Sequence, residues 1–334
     1  MSDNSAHALF FGIDFQINAA IVLMLENIKE LKTLRLESNY EDIDLTLNNE
    51  KHILAQAKSI ENSSTDFRNV RKNLKNALRT LSAGSTQLKT EKLILITNSP
   101  NPLKEDASRS IFWGPSHRSF NSLPLSSQKI IRNYLSAIPT PLDTKQFFIQ
   151  VVPFETDEDI ERYKAVMDSI NTFIGNLRLN IPGLGHRLHT IWLQDIFKNG
   201  SKKDTATVLQ KSALIWPLIV IATDIERTNS EFLAEFDSVQ YDEIVRQYHE
   251  LIDSCCERIE FFTKILYDFN AYTDNASPKQ KSLNFVKNCW QNYSSEFKTE
   301  GIDDDTLKGL TQIIVYNILC RRYDINKIKN GVCL

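Results

Sequence analysis

Glycine and proline are scarce in this chain, ten of each in 334 residues. No repeat or low-complexity tract stands out either, so little of the sequence reads as linker or disorder. Cysteine is thin as well. The five (Cys255, Cys256, Cys289, Cys320, Cys333) fall in the C-terminal third, are odd in number and lack CxxC spacing, which fits a reduced cytoplasmic protein. Long apolar runs are missing: "INAAIVLML" (17–25) and "ALIWPLIVIAT" (213–223) are about half of what a bilayer span needs and read as buried helix or strand. "MSDNSAHALF" has no basic stretch ahead of an apolar one, so neither a secretion signal nor a membrane partner is expected. No P-loop and no GxSxG occurs, which argues against an NTPase or serine hydrolase and assigns any energy-dependent step to a separate subunit.

What is present is ordinary globular material, 42% apolar and 24% charged, long enough for two domains. The net charge of −3 hides a difference in sign. Residues 1–150 hold 18 Lys/Arg against 15 Asp/Glu, and the remainder 21 against 27. Residues 58–92 concentrate the basic excess, which fits a polyanionic ligand on a mildly acidic protein.

Periodicity divides the chain at about residue 155. Residues 13–32 are apolar all round their middle turns, as in a helix buried between layers. "TLRLES" (33–38), "EDIDLTL" (41–47) and "HILAQAKS" (52–59) alternate, and Asn48-Asn49 supplies turn chemistry, so three antiparallel strands are predicted. "SSTDFRNVRKNLKNALRTL" follows as an amphipathic helix with Asp66 in its first turn, Phe67, Val70, Leu74, Ala77 and Leu81 inward, and Arg68, Arg71, Lys72, Lys75 and Arg79 outward. "KLILITN" (92–98) and "QFFIQVVPF" (146–154) read as strands covered on both faces, with a helix near 126–138 between them. Beyond 155 the period is helical. Val245, Tyr248, Ile252, Cys255, Ile259, Phe262 and Leu266 form a narrow seam suited to a partner helix, and "FLAEF", "LNFVKNCW" and "LKGLTQIIVYNILCRRY" read as further helices. "HRLH" (186–189) has no third ligand of convincing spacing. In "GIDDDTLKGL" (301–310) the acids read as a helix cap rather than a calcium loop.

Alternation puts Asp42, Asp44 and Thr46 on one side of their strand and Ile43, Leu45 and Leu47 on the other. Gln56 and Lys58 likewise oppose Ala55 and Ala57. If the aliphatics and alanines cover the buried helix, two carboxylates, an amide and an ammonium gather on the opposite face. Hydrolysis of a phosphodiester with Mg²⁺ or Mn²⁺ calls for such a set: Asp44 as principal ligand, Gln56 and the Ala57 carbonyl as further oxygens, Lys58 at the attacking water and the developing charge. Asp42 is an alternative or auxiliary ligand, and the choice between the two acids stays open.

An acid on one strand, a short turn and Gln-x-Lys on the next, framed by an upstream and a basic downstream helix, resembles the PD-(D/E)xK nuclease superfamily, and "IDLTLNNEKHILAQAK" its Mrr-like branch. "GIDFQ", the "LES" strand and "EDIDL" are similar to the Cap-type double-stranded-DNA endonucleases of bacterial antiphage systems, related to those of cyclic-oligonucleotide and Lamassu-type operons. The resemblance covers residues 8–155. It implies an α/β restriction-endonuclease-like core in residues 1–155, a mixed sheet flanked by helices, and a mainly α-helical domain in residues 156–334 for regulation, oligomerisation or partner docking. By carry-over, Asp44 is the metal-binding acid, Gln56 the second ligand, Lys58 the catalytic lysine, Glu37 a weaker metal ligand and Gln16 a positioning residue. The basic face of Arg68, Arg71, Lys72, Lys75 and Arg79, directly after the catalytic strand, is expected to contact DNA phosphates without reading sequence. The expected activity is Mg²⁺-dependent cleavage of double-stranded DNA by a defence effector, held inactive until a partner or homo-oligomerisation triggers it. Expected partners are DNA and products of the same operon, an SMC-like ATPase among them. The rival reading keeps this fold as a non-catalytic scaffold in a DNA-associated complex.

Overall fold

In the computed structural model the described residues are 3–155, 158–179, 181–222, 243–244, 246–248, 258–297 and 302–334. Contacts divide the chain into two units, residues 1–214 with 333–334, and residues 215–332. The division expected at 155 therefore lies at 214/215 instead. The physical reason is that two helices beyond 155, α4 (Lys164–Asn176) and α5 (Leu184–Gly200), pack on α1 (Asp3–Glu26) and belong to the first unit.

The first unit is built on a seven-stranded mixed sheet. Its strands are β1 (Leu31–Leu36), β2 (Ile43–Leu47), β3 (His52–Lys58), β4 (Thr90–Thr97), β5 (Ser116–Ser119), β6 (Phe147–Val151) and β7 (Leu209–Gln210). The order across the sheet is β5-β6-β4-β3-β2-β1-β7. β1, β2 and β3 are antiparallel neighbours as predicted, and β3, β4 and β6 run parallel through crossover connections. Two edge strands were not predicted. β5 spans four residues and β7 two, too short for a period to register.

Each face of the sheet has its own cover. α1 touches β1, β2 and β3, and its middle, from Phe15 to Leu25, is buried almost without interruption. By length and composition it could cross a membrane, yet 67% of its most apolar window is buried within the protein. On the other face α2 (Val70–Gln87) and α3 (Leu125–Leu135) close a core of Leu54, Leu74, Leu78, Leu81, Leu93, Leu95, Phe112, Phe147 and Ile149. Gly84 lets α2 come down onto β3, because a Cβ there would lie 2.9 Å from Leu54 Cδ1. The helix starts later than predicted. Asp66 sits in the preceding loop, where it accepts from the Arg68 backbone N–H at 2.9 Å and its guanidinium at 2.8 Å, so it competes with helix formation as short acidic side chains do.

The second unit is helical in its described part. α6 (Lys211–Ala222) carries Pro217 and spans the division; α7 (Ile259–Ala271), α8 (Pro278–Cys289) and α9 (Asp304–Val332) follow. Phe261, Phe269, Phe285, Tyr293, Phe297 and Ile314 form its core. Pro278 opens α8 at the position where a missing N–H costs nothing, and Ser277 caps it. Asp303 accepts from the Thr306 N–H at 2.9 Å, as the cap reading of 301–310 predicts. Of the expected seam, Phe262 is buried on α7; Val245, Ile252 and Cys255, like "FLAEF", lie outside the described residues.

Candidate active site

Register decides which acids meet. Thr46 pairs with His52, Asp44 with Leu54 and Ile43 with Ala55, so the next position, Asp42, falls opposite Gln56. The contacts agree. Asp42 Oδ2 accepts from the Gln56 amide nitrogen, from the Ala57 N–H at 2.9 Å, and lies 3.7 Å from Lys58 Nζ. Ile43, Leu45, Ile53 and Ala55 are fully buried on the opposite side of the hairpin. The face assignment made from alternation therefore holds.

Of the two alternatives the structure brings Asp42, not Asp44, to Lys58. Asp44 lies two residues further along the strand. Its Oδ1 is 2.8 Å from His52 Nδ1, and it does not line the cavity that Asp42 does. Asp44, expected as principal ligand, thus stands apart from Lys58.

That cavity, about 590 Å³, is lined by Gln16, Glu37, Asp42, Ala57, Lys58 and Ser59 together with Ala8, Leu9, Gly12 and Ile13 of α1, Leu36, and Phe197, Gly200 and Ser201 at the end of α5. Gln16 lies at the cavity with them: its amide nitrogen donates to Glu37 Oε1 at 2.7 Å and to the Asp42 carbonyl at 3.1 Å. Glu37 itself takes a left-handed backbone, φ 53°, which costs a residue with a Cβ of order 1 kcal/mol and is held by its surroundings. Turning the chain there aims the Glu37 carboxylate at Gln16 rather than along the strand.

Gln56 is clamped from both ends. Its nitrogen donates to Asp42 and its Oε1 accepts from Thr80 Oγ on α2 at 2.8 Å. The predicted oxygen ligand thus turns its nitrogen toward Asp42. A half-turn of the amide about its terminal bond exchanges the two atoms.

Burial governs the charges. It pushes the Asp42 carboxyl above its ordinary range; Lys58 pulls it back and Glu37 pushes it further. Asp44 is also raised by burial, with His52 opposing. Sequence reading missed Glu41, which is 6% exposed, has an Oε1 without a partner and is pushed by burial up to about 8. An acid next to two others in "EDID" was the available signal. The missed wall from α5 had none, since it lies some 160 residues away. Arg35 builds that wall. Buried at 3% exposure, its guanidinium donates to the carbonyls of Asn199, Thr207 and Lys202 at 2.7, 2.9 and 2.9 Å. Gly200 completes the approach; a Cβ there would meet Leu36 Cδ2 at 2.8 Å.

The basic residues in and just before α2 separate into two groups. Arg68 pairs with Asp66, and Arg71 donates to the Lys104 carbonyl at 3.2 Å. Lys72, Lys75 and Arg79 are exposed. At 100° per residue Lys72 and Arg79 fall within 20° of each other on α2, both on one side of Thr80. In "HRLH" His189 is buried on α5, Nε2 2.8 Å from Asn18 Oδ1, and desolvation holds it down to about 4, with His186 adding to the shift.

Among the described residues there is no group of three or more His, Cys, Asp and Glu side chains that could hold a metal ion. What the cavity does offer is the Asp42 carboxylate with Glu37 and the Ala57 backbone beside an ammonium. That donor set fits a small hard cation that keeps most of its waters and takes one or two carboxylates. No family model, curated protein or solved structure matches this chain.

Proposed function

We propose that the first unit is a metal-dependent phosphodiesterase that cuts double-stranded DNA, with Asp42, Gln56 and Lys58 at its centre. One observation carries this reading: across the β2–β3 hairpin a single acid faces Gln-x-Lys, with Lys58 Nζ 3.7 Å from its carboxylate, at the edge of an open cavity. Asp42, Glu37 and the Ala57 carbonyl would hold Mg²⁺ or Mn²⁺, which supplies Lewis-acid polarisation of the phosphate and a more acidic water. Lys58 places its ammonium where negative charge grows on the phosphate in the transition state. Thr80 and Gln56 keep Asp42 in place, and Gln16 does the same for Glu37. Lys72, Lys75 and Arg79 grip the backbone without reading sequence.

Resemblance extends the proposal to an antiphage effector acting in the cytoplasm, its second unit docking a partner or a second copy to release activity. The competing scaffold reading has one specific support. Asp42 Oδ2 already accepts two hydrogen bonds beside Lys58, so the site is satisfied without a cation. Plasmid cleavage with the operon's other products present separates the two. Cleavage in Mg²⁺ that EDTA stops, and that Asp42→Asn and Lys58→Ala each lower by about 10³-fold or more, supports the enzyme. Full cleavage by both variants rejects the assignment.

A further inference from the structure

A second cavity, about 470 Å³, lies beside the first and shares Ile13 and Phe197 as a common wall. His7, Phe10, Phe11, Asp14, Arg162 and Gln194 shape the rest of it. Its size falls within the roughly 300–1,000 Å³ of small-ligand clefts. Phe10 is 70% exposed and Phe197 54%, so two large rings present much of their surface to water at the rim. Phe11, 5% exposed, forms the floor. The polar groups are few, and Asp14 is held in place. Asp14 Oδ2 accepts from Tyr163 Oη at 2.9 Å and its Oδ1 from Asn18 Nδ2 at 2.9 Å. Arg162 lies 3.6 Å from the same carboxylate, with its guanidinium carbon 5.5 Å from the Phe11 ring centroid.

We propose that this second cavity receives one unstacked nucleobase of the strand whose phosphate lies against Lys58. The inference rests on the nuclease reading of the first cavity and names its substrate more closely: DNA that is single-stranded, or opened, next to the cut. Three features favour a base over other occupants. Exposed rings offer π-faces on which any base stacks. An oriented carboxylate and the Gln194 amide meet the N–H donors of a base's pairing edge. The shared wall makes the two cavities neighbours along α1, with residues 9, 12, 13 and 16 lining one and residues 10, 13, 14 and 17 the other; those sets differ by a 100° step about the helix. A strand held at the first cavity therefore has its adjoining nucleotide at the mouth of the second.

The test uses the full chain carrying Lys58→Ala, so that DNA binds without being cut, and short strands bearing one 2-aminopurine at successive positions. Labelled-strand anisotropy gives affinity, and 2-aminopurine fluorescence reports unstacking. The proposal expects single strands or frayed duplexes to bind more tightly than closed duplex, one position to brighten, and Phe10→Ala with Phe197→Ala to abolish that signal and weaken binding by about tenfold or more, the worth of one base–aromatic stack. Binding in which no position brightens, or an affinity unchanged in the double phenylalanine variant, overturns it. Loss of self-association in that variant with DNA affinity intact assigns the rim to a protein interface and also overturns it. Magnesium-dependent plasmid cleavage by the wild-type chain without any brightening would leave the nuclease standing and remove only the base pocket. Absence of binding to every strand, with the operon's other products present, removes both.

Discussion

The two ends of the β2–β3 hairpin carry the same chemistry on the same face and differ in what surrounds it. At the turn end Asp44 has one neighbour of opposite character, His52 at 2.8 Å, in a closed environment. At the open end Asp42 has Gln56, Ala57 and Lys58 and borders a cavity walled by α1 and α5. Burial raises both carboxyls. Asp42 has a cavity beside it and an ammonium within 4 Å of it, and that combination is what makes a carboxylate useful to a substrate rather than to the fold.

The widest separation between the two ends is in activity. Asp42→Asn is expected to lose about 10³-fold or more in Mg²⁺-dependent cleavage, while Asp44→Asn stays within about tenfold; equal losses would erase the distinction. A stability series in pH sharpens it next. Glu41, beside Asp42, has a folded pKa of about 8 against an ordinary 4.5, so the folded state binds the extra proton between those values. Stability is then full below about pH 4.5 and declines as pH rises through about 8. Urea titrations should find Glu41→Gln more stable than wild type at high pH, by up to about 5 kcal/mol, and equal to it at pH 4. No convergence at low pH would refute the burial argument.

The wall of the open end can be removed from afar. Replacing Arg35 by Leu strips three carbonyls of their donor and should cost about 3 kcal/mol of stability, with a rise in KM larger than the fall in kcat because the cavity's outer side loosens. A variant as stable as wild type would contradict the role given to Arg35. The smallest effect belongs to Thr80→Val, which keeps shape and deletes the donor to Gln56. A stability change of about 1 kcal/mol and a fall in cleavage of about tenfold are expected, and cleavage unaffected by Thr80→Val would show that Gln56 needs no clamp.

Much of the hairpin was legible in its sequence because strand alternation is a strict period of 2. Ile43, Leu45 and Leu47 had to share a face, and so did Asp42, Gln56 and Lys58 once the register was even. What alternation leaves open is the register. A two-residue Asn48-Asn49 turn would set Asp42 opposite Ala55. In the folded chain Glu50 joins the loop with φ 60°, Leu47 N–H donates to the Lys51 carbonyl at 2.9 Å, and the extra residue moves every pair by one. Asp42 then meets Gln56, and Asp44 is left to His52. The α5 wall and the second cavity were invisible for a different reason: they arise from long-range packing of α1 against α5, to which local patterns are blind.

The claim that the open end binds a divalent cation is tested most directly by soaking crystals of the protein in Mn²⁺ and locating the metal by anomalous scattering. A peak bounded by the Asp42 carboxylate and the Ala57 carbonyl, lost in Asp42→Asn, is predicted. A peak against Asp44 and His52, or none at saturating Mn²⁺, would contradict it.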